Sequence, residues 1–257
     1  MLYQGLAYIK FLAASKNQHG VHSPFVFDLV INCIYDKRPY PDYEKLRDFR
    51  EQLLSDSTVL EIEDLGSGSK TRSTSPATVK SIAKSAGSRL SQTKLLYRIC
   101  RYFQPQTILE MGTSLGLGTQ AFALAAPHSQ IYTLEGSPAV SKYASDWFMD
   151  MTLNHIIAIH GSFENTLSLP PVNHWDMVFM DGHHNYEATI CYFEMLLPNL
   201  HNDSMVILDD IYWSASMERA WRHIKNHEKV TVTVDLFHKG IVFFRKEQRK
   251  EHFKIRL

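Results

Sequence analysis

Three groups of residues in this sequence have the types and spacing to do chemistry. The first is Ile108-Leu-Glu110-Met-Gly112-Thr113-Ser114-Leu-Gly116-Leu-Gly118, an apolar run that ends in an acid and a glycine-rich turn. It passes directly into the helical pattern Ala121-Phe-Ala-Leu-Ala-Ala126. A strand, a glycine turn and a helix start together offer unpaired backbone N–H groups and room for close approach, which is the chemistry of nucleotide-like cofactor binding. The order Glu-x-Gly-x-x-x-Gly-x-Gly departs from the Gly-x-Gly-x-x-Gly dinucleotide fingerprint. The second group is Glu135-Gly136-Ser137, with Glu135 23 residues beyond Gly112. A carboxylate at that offset can accept hydrogen bonds from both hydroxyls of a ribose. The third is acidic and rich in histidine: Asp181-Gly-His183-His184-Asn-Tyr186 and Leu208-Asp209-Asp210-Ile211. Carboxylates gathered at neighbouring strand ends repel one another unless a cation neutralises them. A hard divalent ion with oxygen ligands, Mg²⁺ being the usual one, would do so. The histidines beside them suit general-base work near neutral pH.

The elements that must position these groups follow a regular alternation from Gln106 onward. Strands are expected over Thr107–Met111, Gln130–Glu135, His155–His160, Asp176–Asp181 and Ser204–Asp209, with helices over about 118–126, 138–150, 163–168, 186–197 and 214–227. Val230–Leu236 and Ile241–Arg245, split by His238-Lys-Gly240, read as a closing hairpin. Alternating strands and helices imply an α/β, Rossmann-like, doubly wound and mostly parallel sheet of seven strands, the last antiparallel. In such sheets ligands bind outside the carboxyl ends of the strands, which is where all three groups fall. Gly161-Ser162-Phe163, after the third strand, is a further candidate contact for the cofactor.

Residues 1–89 read as an N-terminal helical cap and lid region, and residues 90–257 as the cofactor-binding domain. Ser23-Pro24 suits a helix cap and first turn, and Leu46, Phe49, Leu53 and Leu54 share one helical face. The segment Thr58-Val-Leu-Glu-Ile-Glu-Asp64-Leu-Gly66-Ser-Gly68 imitates a second strand, acid and glycine turn. A polar loop through Lys70 and Arg72 follows it instead of a helix, and a cofactor fold starting there would have one strand too many. We read it as a hairpin or polar lid loop, in which Lys70 or Arg72 could meet an anionic substrate group. His19 and His22 have metal-like spacing but no further ligands, and read as surface or cap contacts.

Composition limits the alternatives. The 257 residues carry 27 basic and 27 acidic side chains, so no net charge argues for a nucleic-acid partner. The mildly basic Arg245–Lys250 stretch reads as a solvated end. No run reaches the roughly 18 apolar residues of a membrane helix. The start makes a poor signal peptide and a fair amphipathic helix, so a cytoplasmic protein is expected. Cys33, Cys100 and Cys191 fit no metal or redox spacing and read as buried thiols in a reducing compartment.

The opening motif resembles the first motif of class I S-adenosylmethionine-dependent methyltransferases, in the variant seen in small-molecule O-methyltransferases. The resemblance covers roughly residues 90–246, and Asp-Gly-x-His-x-Tyr at 181–186 is shared with a broad group of such enzymes. It implies that Glu110, Gly112, Thr113, Ser114, Gly116, Gly118, Glu135, Gly136, Ser137, Gly161, Ser162, Phe163 and Asp181 contact S-adenosylmethionine. The acidic strand ends look like those of the divalent-metal-dependent O-methyltransferases, which implies Asp181, Asp209 and Asp210 as Mg²⁺ ligands. A metal there would bind the substrate hydroxyl and lower its pKa. The catalytic base falls to His183 by its position two residues after the first metal Asp, or to His184 by the Asp-Gly-x-His-x-Tyr phrase. With neither an Asn-Pro-Pro-Tyr motif nor a reactive cysteine pair, the acceptor leans toward oxygen. The expected partner is a small-molecule acceptor, with neither nucleic acid nor membrane; the sequence does not decide between monomer and homodimer. Two other readings stay open, an aminopropyltransferase and a non-catalytic S-adenosylmethionine-binding regulator.

Overall fold

The computed structural model describes residues 2–63, 74–85 and 87–257. In chain order the helices are α1 (Leu2–Ala14), α2 (Pro24–Leu29), α3 (Asp42–Ser55), α4 (Val79–Ser85), α5 (Leu90–Phe103), α6 (Leu117–Ala125), α7 (Pro138–Asp150), α8 (Phe163–Thr166), α9 (Tyr186–Leu196) and α10 (Ala215–Asn226). The strands are β1 (Val59–Glu63), β2 (Thr74–Thr78), β3 (Thr107–Met111), β4 (Gln130–Glu135), β5 (Ile156–His160), β6 (Trp175–Met180), β7 (Leu200–Asp209), β8 (Val232–Asp235), β9 (Lys239–Phe243) and β10 (Glu251–Lys254). The chain forms two compact units, residues 36–171 and residues 1–35 with 172–257.

In the unit of residues 36–171, β3, β4 and β5 pair in parallel in that order. Ile108, Leu109 and Met111 on β3, and Ile131, Tyr132 and Leu134 on β4, are buried without alternation. Burial on both faces is what a parallel strand requires, and it makes these strands near-continuous apolar runs. A core formed by Phe49, Leu53, Leu60, Val79, Ile82, Leu115, Leu117 and Val140 joins α3, the β1–β2 hairpin, α4, the glycine turn, α6 and α7. The acid-and-glycine decoy thus begins as one arm of an antiparallel hairpin, Val59 opposite Thr78 and Glu63 opposite Thr74. Its Gly66–Ser69 turn, Lys70 and Arg72 lie outside the described residues.

In the unit of residues 1–35 and 172–257 the strand order is β10, β8, β9, β7, β6. β9 runs antiparallel to both β7 and β8, while β6–β7 and β8–β10 are parallel pairs. Met217, Ala220, Trp221 and Ile224 make the buried stripe of α10, at the i, i+3, i+4, i+7 spacing of an amphipathic helix. Phe11 of α1 packs on Phe237, ring centroids 5.5 Å apart. Ser23 caps α2, its hydroxyl accepting the Val26 N–H at 3.4 Å, with Pro24 in the first turn.

Mostly parallel α/β structure with a helical N-terminal segment is what the sequence implied. Four details differ. Besides the hairpin, the described residues hold eight strands rather than seven, because β10 follows the basic stretch and pairs with β8. The C-terminal hairpin turns at Leu236–His238, so Lys239 and Gly240 belong to β9 and not to the turn. An added Cβ at Gly240 would lie 2.7 Å from the Trp221 ring, so the glycine serves close packing and the turn falls to Phe237 (φ 70°). Finally, Cys191 is exposed, unlike Cys33 and Cys100, because it lies off the buried face of α9 formed by Thr189, Tyr192, Phe193 and Leu196. Among the described residues, no helix is long and apolar enough to cross a membrane.

Candidate active site

The glycine turn after β3 is built around a buried acid. Glu110 is 1% exposed, and its Oε2 accepts hydrogen bonds from the Thr119 hydroxyl on α6 and from the Thr133 hydroxyl on β4, the latter at 2.6 Å. Thr113 Oγ1 lies 2.6 Å from Thr133 Oγ1, so one carboxylate ties strand, turn, neighbouring strand and helix together. Burial pushes the Glu110 carboxyl up to about 7, although the two threonine hydroxyls pull it down. Glu110 therefore acts from inside, bracing the turn on which a ligand would lie.

Above it the backbone is bent where close approach needs it. Gly112 and Gly116 have φ of 105° and 85°, and Ser114 takes a left-handed φ of 48°. At Gly116, the residue before α6, a Cβ would lie 2.9 Å from the Phe148 ring, so only glycine fits. Gly118 and Thr119 lie in the first turn of α6, whose leading N–H groups have no partner within the helix.

Glu135 ends β4 and faces this turn. Its Oε2 accepts the Ser114 N–H and its Oε1 the Ser137 N–H, both at 2.9 Å. Each carboxylate oxygen keeps a second acceptor site. Ser137 is 4% exposed, and its Oγ is a buried atom with no hydrogen-bond partner. Gly161 (φ 145°) donates its N–H to the Glu135 carbonyl at 2.9 Å, which brings the turn after β5 beside the end of β4. Ser162 is half-buried, whereas Phe163 is 7% exposed and packed in the core. These residues form one adjacent set in a single unit: a braced glycine turn, a helix start, an oriented carboxylate and an unsatisfied hydroxyl. That donor set suits a ligand carrying a diol and polar termini, and so fits S-adenosylmethionine.

The second unit carries Asp181, the two histidines and the acidic pair. Asp181 follows β6, and its Oδ1 lies 3.6 Å from His184 Nε2, an ion-pair distance longer than a hydrogen bond. His183 adopts φ 49°, and its Nδ1 lies 3.0 Å from the Tyr192 hydroxyl. The exposed Trp213 ring stands 6.4 Å from that of His184. Tyr186 packs away from them, its hydroxyl 2.8 Å from His223 Nδ1 and its ring under Arg219. Non-glycine residues at positive φ are sparsely populated and cluster at functional sites. Among the described residues six such positions occur, and three of them, Ser114, His183 and Asp210, fall within three residues of the ends of β3, β6 and β7.

The expected magnesium site does not fit these residues. Asp209 is 7% exposed and its Oδ1 accepts from Lys239 Nζ at 2.7 Å and from the Asp210 N–H at 3.0 Å. The cation beside the pair is thus a lysine of the chain itself. Among the described residues no three His, Cys, Asp or Glu side chains group so as to hold an ion. Burial, and then the neighbouring Asp209, raise the pKa of Asp210 above the ordinary range. Lys239, Thr119 and Thr133 are the residues that sequence reasoning missed. Alternation gives Thr133 an inward direction, but nothing local pairs it with Glu110.

Residues 109–211 match a family model described as a methyltransferase domain. The fold is similar to that of SAH-bound PaMTH1, a methyltransferase of Podospora anserina (TM-score 0.62, 16% identity, 88% of this chain and 97% of that one). It is similar also to an O-methyltransferase of Bacillus cereus in complex with SAH (TM-score 0.53, 16% identity, 85% and 95%). A third is TomG of Streptomyces achromogenes, an O-methyltransferase involved in tomaymycin synthesis, in complex with SAM (TM-score 0.54, 16% identity, 86% and 95%). The glycine turn and the acidic end of β4 both lie within the stretch 109–211 that matches the methyltransferase-domain model, and the fold around them is that of the solved methyltransferases.

Proposed function

We propose that the chain transfers a methyl group from S-adenosylmethionine to a hydroxyl of a small acceptor. The observation that carries the reading is Glu135. Two backbone N–H groups at 2.9 Å hold its carboxylate, leaving one acceptor site on each oxygen, the arrangement that recognises a vicinal diol. The donor, when bound, supplies an activated methyl on a sulfonium. What the protein must add is alignment and removal of the acceptor proton. The C–O bond forms as the S–C bond breaks, and the hydroxyl proton goes to a base. We assign that base to His184. Asp181 Oδ1 lies 3.6 Å from its Nε2 and orients the ring, and Nδ1 is the nitrogen left to accept. Trp213, more than half exposed beside it, offers an apolar wall for a flat acceptor. The solved O-methyltransferases of like fold, two with SAH or SAM bound, support this reading.

Calorimetric titration of the whole chain with S-adenosylmethionine and, separately, with NAD tests it. We expect the sulfonium donor alone to bind. Glu135→Ala should weaken that binding by about 3 kcal/mol, on the order of 100-fold, for two lost charge-assisted hydrogen bonds. Tight binding of NAD without binding of the donor would end the methyltransferase assignment.

A further inference from the structure

Lys239 is 1% exposed, and a buried ammonium is stable only when its charge is met and its donors are used. The fold supplies both. β7 and β9 are antiparallel with Asp209 directly opposite Lys239, so the strand register itself sets the 2.7 Å contact between Nζ and Asp209 Oδ1. The Phe179 ring on β6, with Nζ 5.0 Å from its centroid, adds a cation–π contact. The same Asp209 oxygen accepts the Asp210 N–H and so holds the left-handed bend at Asp210 (φ 49°). A divalent ion coordinated by Asp209 would displace the ammonium from its carboxylate. It would set a buried ammonium and a doubly charged ion side by side, competing for the same two carboxylates. Lysine and metal at this pair therefore oppose each other, and the buried lysine already holds Asp209.

We propose that Lys239 is the resident cation of the Asp209–Asp210 pair and stands in for a divalent metal, so that the chain's reaction is independent of Mg²⁺ at these carboxylates. Lys239 is a positioning residue: it acts through Asp209 and Asp210 and touches no reacting atom. Without a metal to acidify the acceptor hydroxyl, deprotonation falls to His184. That consequence rests on the methyltransferase reading, whereas the opposition of lysine and metal does not.

Thermal melting of the full chain in chelator and in about 5 mM MgCl₂ tests the proposal without donor or acceptor. The wild type and Lys239→Arg should melt at the same temperature in both. Lys239→Met, which leaves the two carboxylates uncompensated, should melt lower in chelator and recover by about 2–4 °C in MgCl₂. A lysine that merely packs would give a Lys239→Met chain indifferent to Mg²⁺, and that result overturns the proposal. So does a wild type stabilised by MgCl₂, or one whose turnover is lost in chelator. If Lys239→Met does not fold, the wild-type and Lys239→Arg melts still decide. Failure of methyl transfer would leave these melts standing, and a metal response would overturn Lys239 alone.

Discussion

Substituting Glu110 by glutamine probes the cofactor turn at its most buried point. Desolvation lifts this carboxyl from an ordinary value of 4.5 to about 7. The folded chain therefore holds a proton on Glu110 more tightly than the unfolded chain does. A group whose pKa rises on folding stabilises most below its unfolded value, and that contribution is lost as pH climbs through the folded value. For Glu110 the loss runs from about pH 4.5 to about pH 7. At about 1.4 kcal/mol per unit, a rise of this size amounts to about 3 kcal/mol. In a chain of this length that is a difference in melting temperature of about 6–12 °C. Glutamine keeps a carbonyl oxygen to accept from Thr119 or Thr133 and has no proton to lose in this range. The assay is calorimetric melting of wild type and Glu110→Gln across that window. Asp36 and Asp56, whose carboxyls are held low by hydrogen bonds to Arg38 and Thr58 respectively, titrate in both proteins and cancel in the difference. The wild-type advantage should shrink with rising pH, until the variant is the more stable near pH 8. Curves that stay parallel would show that Glu110 is not desolvated in the threonine network, and the brace assigned to it would be wrong.

Two more substitutions test the site. Gly116→Ala places a Cβ 2.9 Å from the Phe148 ring at a φ of 85°; it should cost about 1–3 kcal/mol in melting experiments and weaken donor binding, and a neutral result would remove the steric account of that glycine. His184→Ala should lower kcat by about 10²–10⁴-fold, least at high pH where the acceptor ionises by itself, with calorimetric donor affinity unchanged; an unaltered rate would move the base elsewhere.

What was legible in the sequence is what local pattern controls. Thr107–Met111 and Gln130–Glu135 are strands with the limits expected of them, because runs of buried β-branched and aliphatic side chains end at an acid and a glycine. The hairpin reading of the imitation motif holds for β1 and β2: the next described element after it is the strand β2, whereas α6 begins directly after Gly116. Lys239 was illegible for a different reason. His238-Lys-Gly240 has the composition of a turn, and glycine is the usual signal for one. Here the glycine is demanded by Trp221 on α10, and the positive φ is carried instead by Phe237. Recognising the pair also needs the strand order. Only because β9 lies between β7 and β8 do residues 30 apart in sequence come to face each other. Had the closing hairpin paired with β7 through β8 instead, Lys239 would lie a full strand away. Asp209 and Asp210 would then be the uncompensated acidic pair that their spacing suggests, and a metal would be the natural partner. Whether such a pair holds a metal is thus decided by sheet topology, through which side chain the antiparallel strand delivers opposite the acid.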